Sequence, residues 1–157
     1  MFHTTIRGKI SYIHETSGET GREWFALTIQ PNGTKTIRAH CEMDDDAILR
    51  DVVWTLGPDG RPIDAYLRLC VDGKLQGMAF FVFSPNRAEC TTTTTNGERI
   101  HQSLDLTKPV EIFGAHPVSG DGMKTSLFNL AGPKLQSFSA ISSSDLPNGA
   151  SGPIMLQ

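Results

Sequence analysis

Along residues 2–13 apolar and polar side chains alternate. Phe2, Ile6, Ile10 and Tyr12 fall on one side, His3, Thr5, Arg7 and Lys9 on the other. A period of two is the signature of a strand with one buried face. Extended, β-prone runs recur at 23–30, 35–43, 63–71, 75–83, 89–95 and 98–106, and Val52, Val53, Trp54 and Thr55 mark a further strand. Between them lie a polar loop at 15–21, Pro31-Asn32-Gly33-Thr34, Asp44-Asp45-Asp46 and Gly57-Pro58-Asp59-Gly60-Arg61-Pro62. Asp46 is placed to cap one helical turn through Ala47, Ile48 and Leu49. No stretch carries a long 3.6-residue apolar period, so helix should be sparse. The expected fold class is all-β, an antiparallel meander forming a barrel or half-barrel.

Two hairpin signals set an expected register. Val71-Asp72-Gly73-Lys74 and Thr95-Asn96-Gly97-Glu98 each place an Asp-Gly or Asn-Gly pair between extended runs, which favours a two-residue type I′ turn. With that turn Leu69 faces Gln76, Leu67 faces Met78 and Ala65 faces Phe80, an almost wholly apolar core face. The opposite face then carries Asp64, Tyr66, Arg68, Phe81 and Phe83, with Gly77 and Ala79 leaving room. Such a mixture of apolar walls and a few polar groups suits a ligand surface. The plainer alternative is an Arg68–Asp64 surface pair with Phe81 covered by a loop. In the second hairpin the same register makes His101 a diagonal neighbour of Cys90, a pair more simply read as a small buried Cys beside a solvated His. For Asn32-Gly33 two matches are open. A two-residue turn sets Phe25 opposite His40, and a loop one residue longer sets Phe25, Leu27 and Ile29 beside Ile37, Ala39 and Cys41.

Residues 107–157 differ from the regular meander of 1–106. They are rich in Gly, Pro and Ser, and the whole is read as a single β domain with a loop-heavy remainder. Leu127-Phe128-Asn129-Leu130 is read as a short strand and 142–149 as loop. Pro153-Ile154-Met155-Leu156-Gln157 reads either as a docked terminal strand or as the start of a strand whose partners belong to a longer fold.

The chain has 157 residues, 38% hydrophobic and 20% charged, which excludes wholesale disorder. A net charge of −3, with scattered Lys and Arg, gives no footprint for nucleic acid. No run approaches a membrane span, and the start lacks the apolar stretch of a signal peptide. Cys41, Cys70 and Cys90, an odd number without Cys-x-x-Cys, read as reduced thiols in a cytoplasmic protein. No nucleophile elbow, zincin, P-loop or dinucleotide motif is present, and no cofactor is implied. His40, Glu42 and Asp44 could share a strand face, but Cys41 points away and a solvated acidic turn is the simpler reading, so no metal is assigned. His116, in Phe113-Gly114-Ala115-His116-Pro117, with Asp121 a few residues on, is the candidate acid/base pair.

The meander of hairpins with Trp24 in the first third resembles the lipocalin-type curved sheet. The likeness is architectural and covers about residues 2–106; Gly21-Arg22-Glu23-Trp24 has one residue more than the family's Gly-x-Trp. The resemblance implies a cup for a small apolar or aromatic molecule and transfers no binding residue. The expected ligand site is Tyr66, Arg68, Phe81 and Trp54, with Arg68 holding a carboxylate. An acid/base enzyme (isomerase, lyase or hydrolase) built on His116, and a subunit-interaction domain whose sheet edges meet a partner or a second copy in a homo-oligomer, are the alternatives.

Overall fold

Eight strands follow one another in the chain and lie in the same order in one antiparallel sheet. The computed structural model describes residues 2–144 and 154–156. The strands are β1 (Thr4–His14), β2 (Gly18–Ile29), β3 (Lys35–Met43), β4 (Ile48–Leu56), β5 (Pro62–Val71), β6 (Lys74–Ser84), β7 (Arg87–Thr94) and β8 (Arg99–Asp105). The sheet is not closed into a barrel: β1 and β8 are its two edges. The all-β meander read from the sequence is therefore present, as an open sheet. Ile48 begins β4 directly, so no helical turn forms over Ala47–Leu49.

Three of the hairpins share one loop chemistry. In Pro31-Asn32-Gly33, Pro58-Asp59-Gly60 and Thr95-Asn96-Gly97 the flanking residues close the loop by backbone bonds, and the glycine sits at φ 86°, 84° and 82°. This is the three-residue loop with a left-handed third residue. In each, the middle side chain accepts the N–H two residues on: Thr34 N–H to Asn32 Oδ1 at 3.0 Å, Arg61 N–H to Asp59 Oδ1 at 3.1 Å, and Glu98 N–H to Asn96 Oδ1 at 3.3 Å. That local bond is why Asn and Asp suit the position. Asp72-Gly73 instead makes the two-residue turn expected of it, with both residues at positive φ.

Loop length then decides which side chains are buried. The longer loop at 31–33 sets Phe25 opposite Ala39 and Leu27 opposite Ile37, the apolar match of the two considered. The longer loop at 95–97 sets Thr91 opposite His101 and Cys90 opposite Gln102, so Cys90 is buried and His101 exposed on the other face. After Asp72-Gly73 the pairing starts as expected, Val71 with Lys74 and Cys70 with Leu75, and then slips by one residue. Leu69 meets Gly77, Leu67 meets Ala79 and Ala65 meets Phe81. This bulge exchanges the two faces of β6. Phe81 is buried in the core, whereas Met78, Phe80 and Val82 turn outward beside Arg68, Tyr66 and Asp64. β6 is apolar in both phases, so alternation alone cannot choose between them; the extra residue does.

An open sheet with one apolar face needs a cover. The rest of the chain supplies it through β9 (Ile112–Gly114), helix α1 (Val118–Lys124), a 3₁₀ turn at Thr125–Leu127, β10 (Ala140–Ser144) and β11 (Ile154–Leu156). β10 lies between β9, parallel to it, and β11, antiparallel. Leu127 thus ends a 3₁₀ turn and 128–130 are not strand, where a short strand was expected; 142–144 belong to β10 rather than to a loop. Residues 145–149 of that expected loop lie outside the described residues. Val110, Phe113, Ala115, Ile141 and Met155 pack on Trp54, Leu67, Ala79 and Phe81. Phe113 is the central knob: its ring centroid lies 4.8 Å from Phe81, 5.1 Å from Phe83 and 6.1 Å from Trp54. Such aromatic contacts add about 0.5–1.5 kcal/mol each beyond the area they bury.

The loops yield a stability test. Gly73 has φ 69° and an added Cβ there would meet open space, so Gly73→Ala should lose about 1 kcal/mol from backbone strain alone. Gly33 has φ 86°, and an added Cβ would stand 3.2 Å from Pro58 Cβ in the neighbouring loop. Gly33→Ala should therefore lose more, about 2 kcal/mol, read as a lower urea midpoint at unchanged slope.

Candidate functional site

Helix α1 has no N-cap of its own, because Pro117 offers no side-chain acceptor. The acceptor comes from β2. Glu23 is fully buried, and its Oε2 takes the Val118 N–H at 2.8 Å while Oε1 takes the Ser119 N–H at 3.0 Å. The Tyr12 hydroxyl donates to Glu23 Oε2 at 3.0 Å. Two peptide donors and a phenol meet the carboxylate, which is the condition for burying a charge. A Cβ on Gly120 would stand 2.6 Å from Trp54 Cζ3, so the missing side chain lets α1 rest directly on the indole.

Around Glu23 other groups gather. The His116 ring meets Tyr12 edge-on, centroids 6.0 Å apart, with Nε2 3.4 Å from the phenol oxygen. Cys41 pairs with Glu23 in the register, and Arg50 pairs with Cys41. Burial, then the neighbouring Cys41 and Glu23, raise the Tyr12 phenol above its ordinary range. Burial and the Glu23 charge push the Cys41 thiol from 9.0 up to about 12. Cys41 is consequently held as a neutral thiol at ordinary pH, a poor nucleophile. The order His116, Tyr12, Glu23 is a chain of proton-carrying groups in hydrogen-bond contact.

Of the sequence-expected acid/base pair, His116 is thus joined to Tyr12. Asp121 lies exposed on α1, bonded to Lys124 Nζ at 2.6 Å. Of the expected ligand wall, the register puts Tyr66 and Arg68 on the outer face and Phe81 and Trp54 on the buried one. These four cannot line one cup: the bulge in β6 sets Phe81 opposite Ala65, and the β4–β5 register sets Trp54 opposite the same Ala65, so both leave the face of Tyr66 and Arg68. Arg68 pairs with Asp51 at 3.1 Å, not with Asp64, and Asp51 also bonds His40 Nδ1 at 2.7 Å. Glu42 and Asp44 both bind Arg22, so the acidic side chains around His40 are engaged in ion pairs. Among the described residues no group of three metal-ligating side chains converges.

Beside the Glu23 anchor a cleft of about 520 Å³ opens between the sheet and α1. Ile10, Phe25, Leu27 and Ile37 form its floor, and Val118 and Met123 its wall. Ser119, whose N–H holds Glu23, and Asp121 and Thr125 contribute polar groups. Gly122 also lines it and leaves it open, since a Cβ there would touch nothing within 4 Å. The cleft and Glu23 were missed in the sequence. The available signal was a carboxylate in phase with Phe25 and Leu27, on the side of β2 that has to be buried.

Comparison with protein-family models, with curated proteins and with solved structures finds no match for this chain. No helix among the described residues is long and apolar enough to cross a membrane.

Two measurements check the anchor. Glu23→Ala should cost about 2–4 kcal/mol, because two peptide N–H groups and a phenol lose a charged partner in a buried place. Amide exchange at Val118 and Ser119 should then speed up more than exchange in β4 and β5; equal protection would deny the anchoring role. The second concerns alkaline pH. Below pH 9 the Cys41 thiol keeps its proton in both folded and unfolded chains. Above it only the unfolded chain releases the proton, so stability should fall as pH rises from 9 toward about 12. Cys41→Ala should flatten that fall in urea midpoints measured against pH, and an identical slope would deny it.

Proposed function

We propose that this protein binds a small apolar molecule in the cleft between β1–β3 and α1. The observation that supports the reading is the cleft itself: about 520 Å³, floored by Ile10, Phe25, Leu27 and Ile37, with few polar groups at its wall. Ligand sites in proteins fall at about 300–1,000 Å³ and combine apolar walls with a few placed polar groups. In this reading the lipocalin-like cup of the sequence resemblance takes an open form, with α1 as one wall in place of closing strands. The ligand is neutral or weakly polar, because among the described residues Asp121 is the one charged side chain on the cleft and it is already bonded to Lys124.

An acid/base enzyme is the second reading, favoured by the His116–Tyr12–Glu23 chain next to the cleft. Val118 and Ser119 belong both to the cleft wall and to the Glu23 anchor, so a bound molecule would lie close to these groups.

Titration with the neutral fluorescent probe N-phenyl-1-naphthylamine tests the binding reading. Gly122→Leu fills the opening and removes a glycine from a helix, which itself stabilises by about 1 kcal/mol, so lost binding cannot come from lost folding. The expected result is saturable binding that weakens about tenfold or more in Gly122→Leu, a change of about 1.4 kcal/mol. Unsaturable binding, or equal affinity in the filled variant, would sink the cleft as the site.

A further inference from the structure

We propose that the outer face of β1–β3 carries a second site, for a small aromatic carboxylate, centred on Ala26 between Arg7 and Arg38. It lies on the face opposite the apolar cleft and does not depend on it. The register sets Arg7 opposite Ala26 on one side and Arg38 opposite Ala26 on the other, so two guanidinium side chains flank one small residue. Above them is a hollow of about 450 Å³, also lined by Trp24, His40 and Asp51.

The charges of this face single out the two arginines. Lys9 is paired with Glu19 at 3.1 Å; Arg22 is held by Glu19, Glu42 and Asp44; Arg68 is held by Asp51. Arg7 and Arg38 are exposed and form no ion pair or side-chain hydrogen bond among the described residues. Asp51, the carboxylate at the hollow's edge, is already engaged by both His40 and Arg68. The hollow therefore has a local surplus of positive charge with two donor forks on either side of it. Guanidinium groups bind carboxylates through paired N–H donors, and a neutral molecule offers no charge to complement them.

Trp24 decides the remainder of the ligand. Trp24 is 50% exposed while Glu23, Phe25 and Leu27 on the other face of β2 are buried or half-buried, an unusual solvent exposure for so large a side chain. Lys9 Nζ lies 5.5 Å from the ring centroid, and Trp24 lines the same hollow as Ala26, which offers an aromatic surface to a planar partner. Ala26 has only a methyl group, so a ring can lie against the sheet there while its carboxylate reaches the arginines.

Calorimetric titration with 2-naphthoate, and with the neutral 2-naphthol of similar shape, tests this. The expected result is naphthoate binding at least about tenfold tighter than naphthol, with Arg7→Gln and Arg38→Gln each weakening it about tenfold. Both arginines are exposed and make no ion pair among the described residues, so neither change should move the melting temperature. Ala26→Leu should also weaken binding by filling the hollow, and Gly122→Leu should leave it intact. Equal affinity for naphthol, or indifference to both arginine substitutions, would overturn the site. Naphthoate binding lost only in Gly122→Leu would also overturn it, while leaving the apolar cleft standing.

Discussion

A single buried carboxylate ties the two parts of this protein together. Glu23 stands on β2 among Phe25, Leu27 and Cys41, where an unpartnered charge would be very costly. It is tolerated because the first peptide groups of α1 and the Tyr12 hydroxyl turn toward it. The dependence is mutual. The helix has no cap from its own sequence, and the carboxylate has no solvent. Once that bond fixes the start of α1, Gly120 sets its distance from Trp54, and the remaining gap over β1–β3 becomes the cleft.

The sheet's two faces then have separate chemistries. The buried face is a packed aromatic and aliphatic core over β4–β7, where Phe113 plugs between Phe81, Phe83 and Trp54. Its packing loosens toward the β1 edge, where the cover is only one short helix. The outer face is a lattice of ion pairs running from Lys9 through Arg22 to Glu42, beside an Asp51 that pairs with Arg68 and hydrogen-bonds His40. Exposed salt bridges of this kind contribute little stability individually. Their effect here is to neutralise most of the surface and leave a cationic hollow at Ala26. Apolar and anionic ligands would therefore meet opposite sides of the same three strands.

Strand existence was legible along the sequence because period-two runs and glycine turns agree locally. Register was legible only where the turn chemistry determined loop length. Pro31 and Pro58 preset the first residue of a longer loop, and Asn32 and Asp59 close it with a side-chain bond. Asn96-Gly97 has the same chemistry without a proline, and reading it as a two-residue turn misplaced His101. In β6 the phases Met78-Phe80-Val82 and Ala79-Phe81-Phe83 are equally apolar, so the side-chain pattern did not reveal the bulge that separates Phe81 from Arg68, and the local signal for it was Gly77 inside the strand. His116 was legible as a noteworthy loop residue, but its partner Tyr12 lies 104 residues away and carries no pairing signal. The helix cap was invisible for the same reason: its acceptor is on another element.

The distance along the chain between Glu23 and the helix it holds, 95 residues, sets an order of events during folding. Every pairing in the eight-stranded sheet joins neighbours in sequence, so the meander can zip through short loop closures. The cover cannot dock until Phe113 and α1 have been synthesised and returned across the whole sheet. Until then the apolar face and the Glu23 carboxylate stand in water together. The charge keeps part of that face hydrated during the wait, while Leu67, Ala79 and Phe81 are open to other chains. A protein of this design is most vulnerable to aggregation in the interval between completing β8 and seating its helix.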